Sequence, residues 1–456
     1  MRLPFYGTRL SHNLVVIGFL LGFLCLSPAG QANEASDSHE AERLNHRGQE
    51  YLHKKEYDKA IELFREALRL QPDLTVALDN LGNALELEGK DEAAIAEFDK
   101  ALKIAPENAA LYHDKGLALF HEKKYEEALA AFRKAVEIHS DFAEAQNGLG
   151  ATLLSMGKPD EAAAALRKAV ESAPKNADAL NNLGLALLAQ NKAAEAVPYL
   201  RRANKLRPDS ADYLENYAHA LEESGQTNEG ITAYHKLTAK HPDQPASWAH
   251  LGHLYYESKR YKPAVQAYQK SVALNSSDPD VWLYLGLSES ELGNFIGAIH
   301  SFEKCLSIRP NDYHALYSLG NIFNSQKEYA KAADNYRKAF ELKPDSADAL
   351  AGLAGSQLSS NKLDDALTSY QRLISLRPDD ASVRFNLGTA LFNKGVYAEA
   401  AKNYREAVRL KPDLAHAHYN LGMTLLRLND LKAAQEEFTE AHRLDSTLNP
   451  PNNNAR

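Results

Sequence analysis

Residues 177–210 read ADALNNLGLALLAQNKAAEAVPYLRRANKLRPDS, and the pattern recurs every 34 residues on both sides. Its proline belongs to a ruler: Pro72, Pro106, Pro174, Pro208, Pro242, Pro310, Pro344, Pro378 and Pro412 all stand at multiples of 34 from one another. The missing marks hold Ser140, Ser276 and Ser446, so the register is never lost. A fixed period kept without an insertion marks a tandem array of one small unit and overrides the about three globular domains that length alone suggests.

Twelve units fit between Ala41 and Leu448, starting at 41, 75, 109 and onward. Counting from each start, place 8 is Gly in ten units, with Ala218 and Ala354 in the others; place 20 is Ala in all but Gly230. Place 24 is always large and apolar, as in Phe64, Phe98, Tyr268, Phe302 and Phe438. Small residues at fixed places let two helices approach, and the bulky one fills the space opposite. Leu180, Leu183, Gly184 and Leu187 show the spacing of one helical face. Gly or Asn at place 15, such as Gly89, Gly157, Gly293 and Asn361, suits a left-handed residue ending that helix. A second helix then runs to the Pro, and Asp73, Asp209 and Asp413 are expected to cap the helix that follows. Each unit is thus read as a helix-turn-helix with helices of about 14 residues. Helices that short are marginal alone, so stability must come from burying each face on a neighbour. Arg47 in unit 1 and Gln435, Glu436, Glu437 and Glu440 in unit 12 supply polar ends. Units 6 and 10, with Ala218, Gly230, Ala354, Gly355 and Gln357, are the least regular and are expected to alter curvature or flexibility.

The segments Trp248-Ala249-His250-Leu251-Gly252 and Trp282-Leu283-Tyr284-Leu285-Gly286, with the later Ala, aromatic and Pro, resemble the tetratricopeptide repeat (TPR) family. The resemblance covers residues 41–448. It implies an all-α fold, a TPR superhelical solenoid whose first helices line a concave groove, and protein or peptide binding without catalysis.

Composition excludes several other classes. The chain carries a formal charge of −9, and residues 1–32 hold two Arg and no acid, so their removal leaves −11. An acidic chain without a basic run is a poor binder of nucleic acid. Cys25 and Cys305 make no disulfide framework or CxxC metal pattern. The glycines recur at a packing place, and no unit departs from the period to supply an active-site loop, so no catalytic residue and no cofactor is expected. His219, His250 and His253, near Glu215 and Glu222, are the one constellation open to metal binding; solvated groove histidines are the plainer reading, and no metal site is expected.

At the N-terminus, Arg2 and Arg9 precede the apolar stretch Leu14–Leu26, and Ser27, Ala29, Gly30 and Ala32 follow. Thirteen residues suit a signal-peptide core and fall short of the ~20 that span a bilayer. Phe23 and Leu24 before Cys25 are not the small residues of a lipoprotein signal. The expected organisation is a signal peptide or N-terminal anchor over 1–32, a linker over 33–40, the array over 41–448 and a disordered tail over 449–456. Cleavage after Ala29 or Ala32 places the array in the periplasm or cell envelope; an uncleaved anchor gives it membrane contact.

Under the family geometry, places 2, 5, 6, 9 and 12 face the groove. None of these sixty positions is Lys or Arg, while acids such as Asp79, Glu86, Asp114, Asp212, Glu215 and Asp280 recur, so neutral or basic partners are expected. The Lys and Arg clamp by which some TPR domains hold an acidic C-terminus is absent. Asn80, Asn182, Asn216, Asn386 and Asn420 occupy place 6, where amides suit an extended backbone or, alternatively, follow a common family usage. Tyr256, Tyr284, Tyr317, Phe385 and Tyr419 on the same face are anchors for a partner or ridge contacts between units. Trp248 and Trp282, at place 4, are assigned to packing. The function read from these features is a non-catalytic exported scaffold that binds protein or peptide in its groove, in cell-envelope assembly. The alternatives are a self-associating spacer and a non-catalytic subunit of an enzyme or secretion complex.

Overall fold

The computed structural model describes residues 28–451, and its side chains from residue 36. The signal or anchor expected over 1–32 therefore lies mostly outside the described residues, as do residues 452–456 of the tail. Among the described residues there are twenty-four helices and no strand, so the fold class is all-α.

Two helices per repeat follow the period closely. From repeat 2 on, helix A fills places 1–13, as in Thr75–Leu87, and helix B fills places 17–30, as in Asp91–Ile104. The first helix differs: it runs Pro28–His53, so the expected linker over 33–40 is helical. No proline or glycine interrupts residues 31–47, and Ser38 donates to Gln71 (3.1 Å) at the end of the neighbouring helix.

Place 15 is left-handed in all twelve repeats: Gly89, Gly157, Gly225, Gly293 and Gly395 at φ 71° to 83°, and seven other residues at 58° to 63°. Asn adopts this region readily, whereas Lys55, Lys123, Lys259 and Lys327 are held there against the contact between Cβ and the following carbonyl. Lys259→Gly should therefore gain about 1 kcal/mol in urea unfolding; an unchanged midpoint counts against strain at this turn.

The capping expectation needs correction. The residue that starts each A helix is at place 34, one beyond the Asp of the Pro-Asp pair. Asn108, Asn176, Ser210, Asp278, Asp312, Ser346 and Asp380 accept backbone N–H bonds there, whereas repeats 2 and 12 start behind Leu74 and Leu414 without a side-chain cap. Asp209 instead receives Lys240 Nζ at 2.8 Å.

The packing code is met directly. A Cβ built on Gly82 lies 2.5 Å from the Phe98 ring, one on Gly286 lies 2.7 Å from Phe302, and one on Gly184 lies 2.3 Å from Leu200. Place 8 must be small because place 24 of the same repeat lies against it. Phe64, Phe98, Phe132 and Phe302 are fully buried.

The described residues divide into two compact bodies, the first ending at residue 241 and the second beginning at residue 242, towards the end of repeat 6. In the second body one core runs from Leu283 through Phe302, Tyr336, Tyr370 and Tyr404 to Phe438. The first is built from successive clusters, such as that joining Phe64, Leu81 and Phe98 to Leu111.

Candidate functional site: the groove face of the A helices

Within each body the groove places lie on the A helices. The five asparagines divide into two groups. Asn80 donates through Nδ2 to Asn45 Oδ1, Asn182 to Asn147 and Asn216 to Asn181, each at 2.9 Å. Each bond joins place 6 of one repeat to place 5 of the repeat before. Asn182 is buried at 2 % exposure, while Asn80 and Asn216 are half-buried. These amides brace adjacent repeats, and that bond fixes which way each one points. Asn386 and Asn420 follow Ala351 and Phe385 at place 5, so neither has this brace. Asn420 instead interacts with the Tyr404 hydroxyl, which also donates to Thr389 at 3.1 Å.

The aromatics are half-buried and rest on core rings. Tyr317 lies against Tyr336 (5.8 Å), Phe385 against Tyr404 (5.7 Å) and Tyr419 against Phe438 (5.4 Å), each pair joining place 5 to place 24 of one repeat. Tyr284, at place 6, stacks on Tyr268 of the preceding repeat at 6.3 Å and meets Tyr256 edge-on at 5.3 Å. Burial raises the Tyr256 and Tyr317 hydroxyls above the ordinary tyrosine value. These rings are ridge contacts on one side and half-exposed on the other. Trp248 and Trp282 are half-buried; their indole N–H groups donate to the Pro242 and Ser276 carbonyls at 3.0 and 2.9 Å, tying helix A to the turn before it.

Several groove acids are less available than the sequence suggests. Asp178, Asp280 and Asp348, all at place 2, receive Arg207, Arg309 and Arg377 from place 31 of their own repeats at 3.1, 2.8 and 2.6 Å. Arg309 holds Asp280 below the ordinary carboxylate range. Burial wins at Asp178, whose carboxyl is raised despite bonds from Tyr213 and Arg207. The signal for these bridges was Asp at place 2 with Arg at place 31.

His219 belongs to the first body and His250 and His253 to the second, where His253 lies edge-on to Tyr284 at 5.3 Å. Among the described residues no group of three or more His, Cys, Asp or Glu is placed to hold a metal ion. Cys305 is fully buried, and burial pushes its thiol up to about 12. No helix of the described residues is long and apolar enough to cross a membrane.

Comparison with known proteins agrees with this anatomy. Models described as tetratricopeptide repeat match residues 41–74, 76–108, 107–175, 147–211, 187–254, 279–312, 313–346, 351–415 and 385–448, and one described as TPR repeat matches 252–293. No curated protein matches the chain. Among solved structures, YrrB, a TPR protein with an unusual peptide-binding site, is 25% identical over 42% of this chain and 97% of its own, with a TM-score of 0.39. MamA is 27% identical over 36% and 97%, at 0.33. The APC/C hetero-tetramer Cut9-Hcn1 is 14% identical over 92% and 96%, at 0.35. With family models tiling the array from residue 41 to 448, the chain belongs to the tetratricopeptide repeat family of protein-interaction scaffolds.

Proposed function

We propose that this chain is a non-catalytic, exported scaffold that holds a neutral or basic protein segment along the groove face of its A helices, in assembly of the cell envelope. The observation that carries this reading is the amide row: place-6 asparagines oriented by their neighbours, on a face where no groove place holds a cation. Each braced Asn uses one donor hydrogen in its brace. At the half-buried Asn80 and Asn216 the second hydrogen and a carbonyl lone pair suit the N–H and C=O of an extended backbone. Half-exposed Tyr256, Tyr284, Tyr317, Phe385 and Tyr419 offer apolar contact beside them. Export is supported by Arg2, Arg9, the apolar stretch Leu14–Leu26 and the small residues after it.

One experiment in the native host tests both parts. The protein recovered from the envelope fraction should begin at residue 30 or 33 and retain a crosslinked partner. A variant with Asn80, Asn216, Asn386 and Asn420 changed to Ala should keep its helical signal and lose about tenfold or more of that capture, the scale expected when several backbone hydrogen bonds are removed. Undiminished capture overturns the groove reading, and a full-length chain confined to the cytoplasm overturns export.

A further inference from the structure

Place 32, the proline position of the ruler, presents a backbone carbonyl that the following repeat often meets from place 4. Trp248 and Trp282 donate to the Pro242 and Ser276 carbonyls at 3.0 and 2.9 Å, His418 Nε2 donates to Pro412 at 3.0 Å, and Gln146 donates to Ser140. Two repeats with Leu at place 4 use a cation instead: Arg202, at place 26, donates to Pro174 at 2.8 Å, and Lys240 donates to Pro208 at 3.0 Å. Repeat 10 does neither. Its place 4 is Leu350, which has no donor. Its place 26 is Arg372, the counterpart of Arg202, and that guanidinium lies over the Phe340 ring at 4.5 Å.

An open cleft of about 290 Å³ remains at this junction, between helix B of repeat 9 (Tyr329–Leu342) and the helices of repeat 10 (Ala347–Ser359 and Leu363–Leu376). Ligand pockets start near 300 Å³, so this one suits a single side chain. Its floor is apolar and buried: Phe340, Leu350 and Leu353 are 6, 2 and 5 % exposed. Pro344, at place 32, lines it together with the exposed Arg337 and Arg372. Thr368 and Ser369 line it from places 22 and 23. Those same places meet the place-4 ring elsewhere: Trp282 lies 6.1 Å from His300 at place 22, and His418 bonds Glu437 at place 23 at 2.6 Å. The cleft is the space that a ring fills in repeats 8 and 12.

An indole answers each of these features. Its flat body matches the apolar floor, and its N–H donates without accepting, as the place-32 carbonyl requires. Its face attracts guanidinium groups, and Arg337 and Arg372 flank the cleft. Glu341 also lines it and repels a carboxylate ligand, which two arginines would otherwise favour. The chain's two tryptophans, Trp248 and Trp282, are already bonded to carbonyls of their own junctions, so the indole comes from another protein. We propose that the cleft between repeats 9 and 10, floored by Phe340, Leu350 and Leu353, receives a tryptophan side chain of a partner protein. This site stands apart from the groove places and holds whether or not the groove binds.

The test titrates the full chain by NMR with three acetylated and amidated peptides. Each carries one residue between two diglycine arms: tryptophan, tryptophan methylated on the indole nitrogen, or leucine. The unmodified chain should bind the tryptophan peptide saturably and each of the others about fivefold or more weakly, the scale of one lost hydrogen bond for the methylated one. Leu350→Trp places the chain's own indole in the cleft, as Trp248 and Trp282 do at their junctions. Its melting temperature should match or exceed that of the unmodified chain, and its binding of the tryptophan peptide should fall about tenfold or more. Thr368→Tyr, at an exposed position of the lining, obstructs the cleft without altering its floor and should lose binding likewise, which keeps the test decisive if Leu350→Trp does not fold. No saturable binding of the tryptophan peptide, equal binding of either other peptide, or binding that survives in a folded variant each overturns the proposal.

Discussion

Gly82→Ala and Phe98→Ala should each destabilise the first body strongly, and the double variant should lose less than the sum of the two. Phe98 is fully buried, so truncation leaves a cavity between the helices of repeat 2 and costs about 3–5 kcal/mol. The Gly82 change acts from the other side. Its new Cβ lies 2.5 Å from Phe98 Cε1 and 2.7 Å from Cζ, distances that force the ring or the helix to move. Overpacking of this kind costs about 1–3 kcal/mol, against roughly 1 kcal/mol gained by placing Ala in a helix. The clash dominates because the ring has no exposed side to retreat to. In the double variant the methyl added at position 82 enters space vacated by the ring, so the coupling should be about 0.5–3 kcal/mol and favourable. Urea unfolding of the two single variants and the double variant measures it, and strict additivity would show that the two places are not packed against each other. Repeat 10 carries Ala354 at place 8, and there even a Cβ built on the adjacent Gly355 would meet only the Tyr370 hydroxyl, at 3.9 Å. Because stability in such arrays is local to neighbouring repeats, the first body should register these changes before the second.

The period made most of this fold legible. It located the helices, the left-handed turn residue and the Gly82–Phe98 type of contact, since all of these lie within one repeat and recur in register. It did not show which place of one repeat meets which place of the next. The Asn45–Asn80, Asn147–Asn182 and Asn181–Asn216 bonds span 35 residues, one more than the period. That offset arises from how helix A of one repeat leans on its predecessor, and no single-unit pattern contains it. For the same reason Asn80, Asn182 and Asn216 looked free. The Asp178, Asp280 and Asp348 bridges span 29 residues, joining the two ends of one repeat through the stacking of its helices. The cap was displaced by one place, from Asp209 to Ser210, because the Pro-Asp turn uses its Asp before the helix begins.

Repeat 8 should carry a pH dependence that Glu289→Gln removes. Ten repeats place an apolar residue at place 11; repeats 8 and 10 place Glu289 and Gln357 there. Both reach the serine at place 23: Ser301 donates to Glu289 and Ser369 to Gln357, each at 2.7 Å. One position is thus built twice, once with a carboxyl and once with its neutral isostere. Glu289 is only 5 % exposed, and burial raises its carboxyl above the ordinary value although the Ser301 bond and the charge of His300 pull it down. A carboxyl raised on folding takes up its proton more readily in the folded state, so the folded state binds more protons than the unfolded one across that interval. Stability from this group is then fully present below the ordinary carboxyl value and is lost as pH rises through the raised one. Glu289→Gln keeps the serine bond, as Gln357 demonstrates, and removes the buried charge. The variant should be more stable than the unmodified chain at pH 7, by on the order of 1 kcal/mol, and the two should converge near pH 4. Thermal melts of both proteins from pH 4 to 8 isolate this group, because every other acid is common to the pair. Parallel curves across that range would mean that Glu289 titrates as it does in the unfolded chain, and that burial at place 11 is no burden to the array.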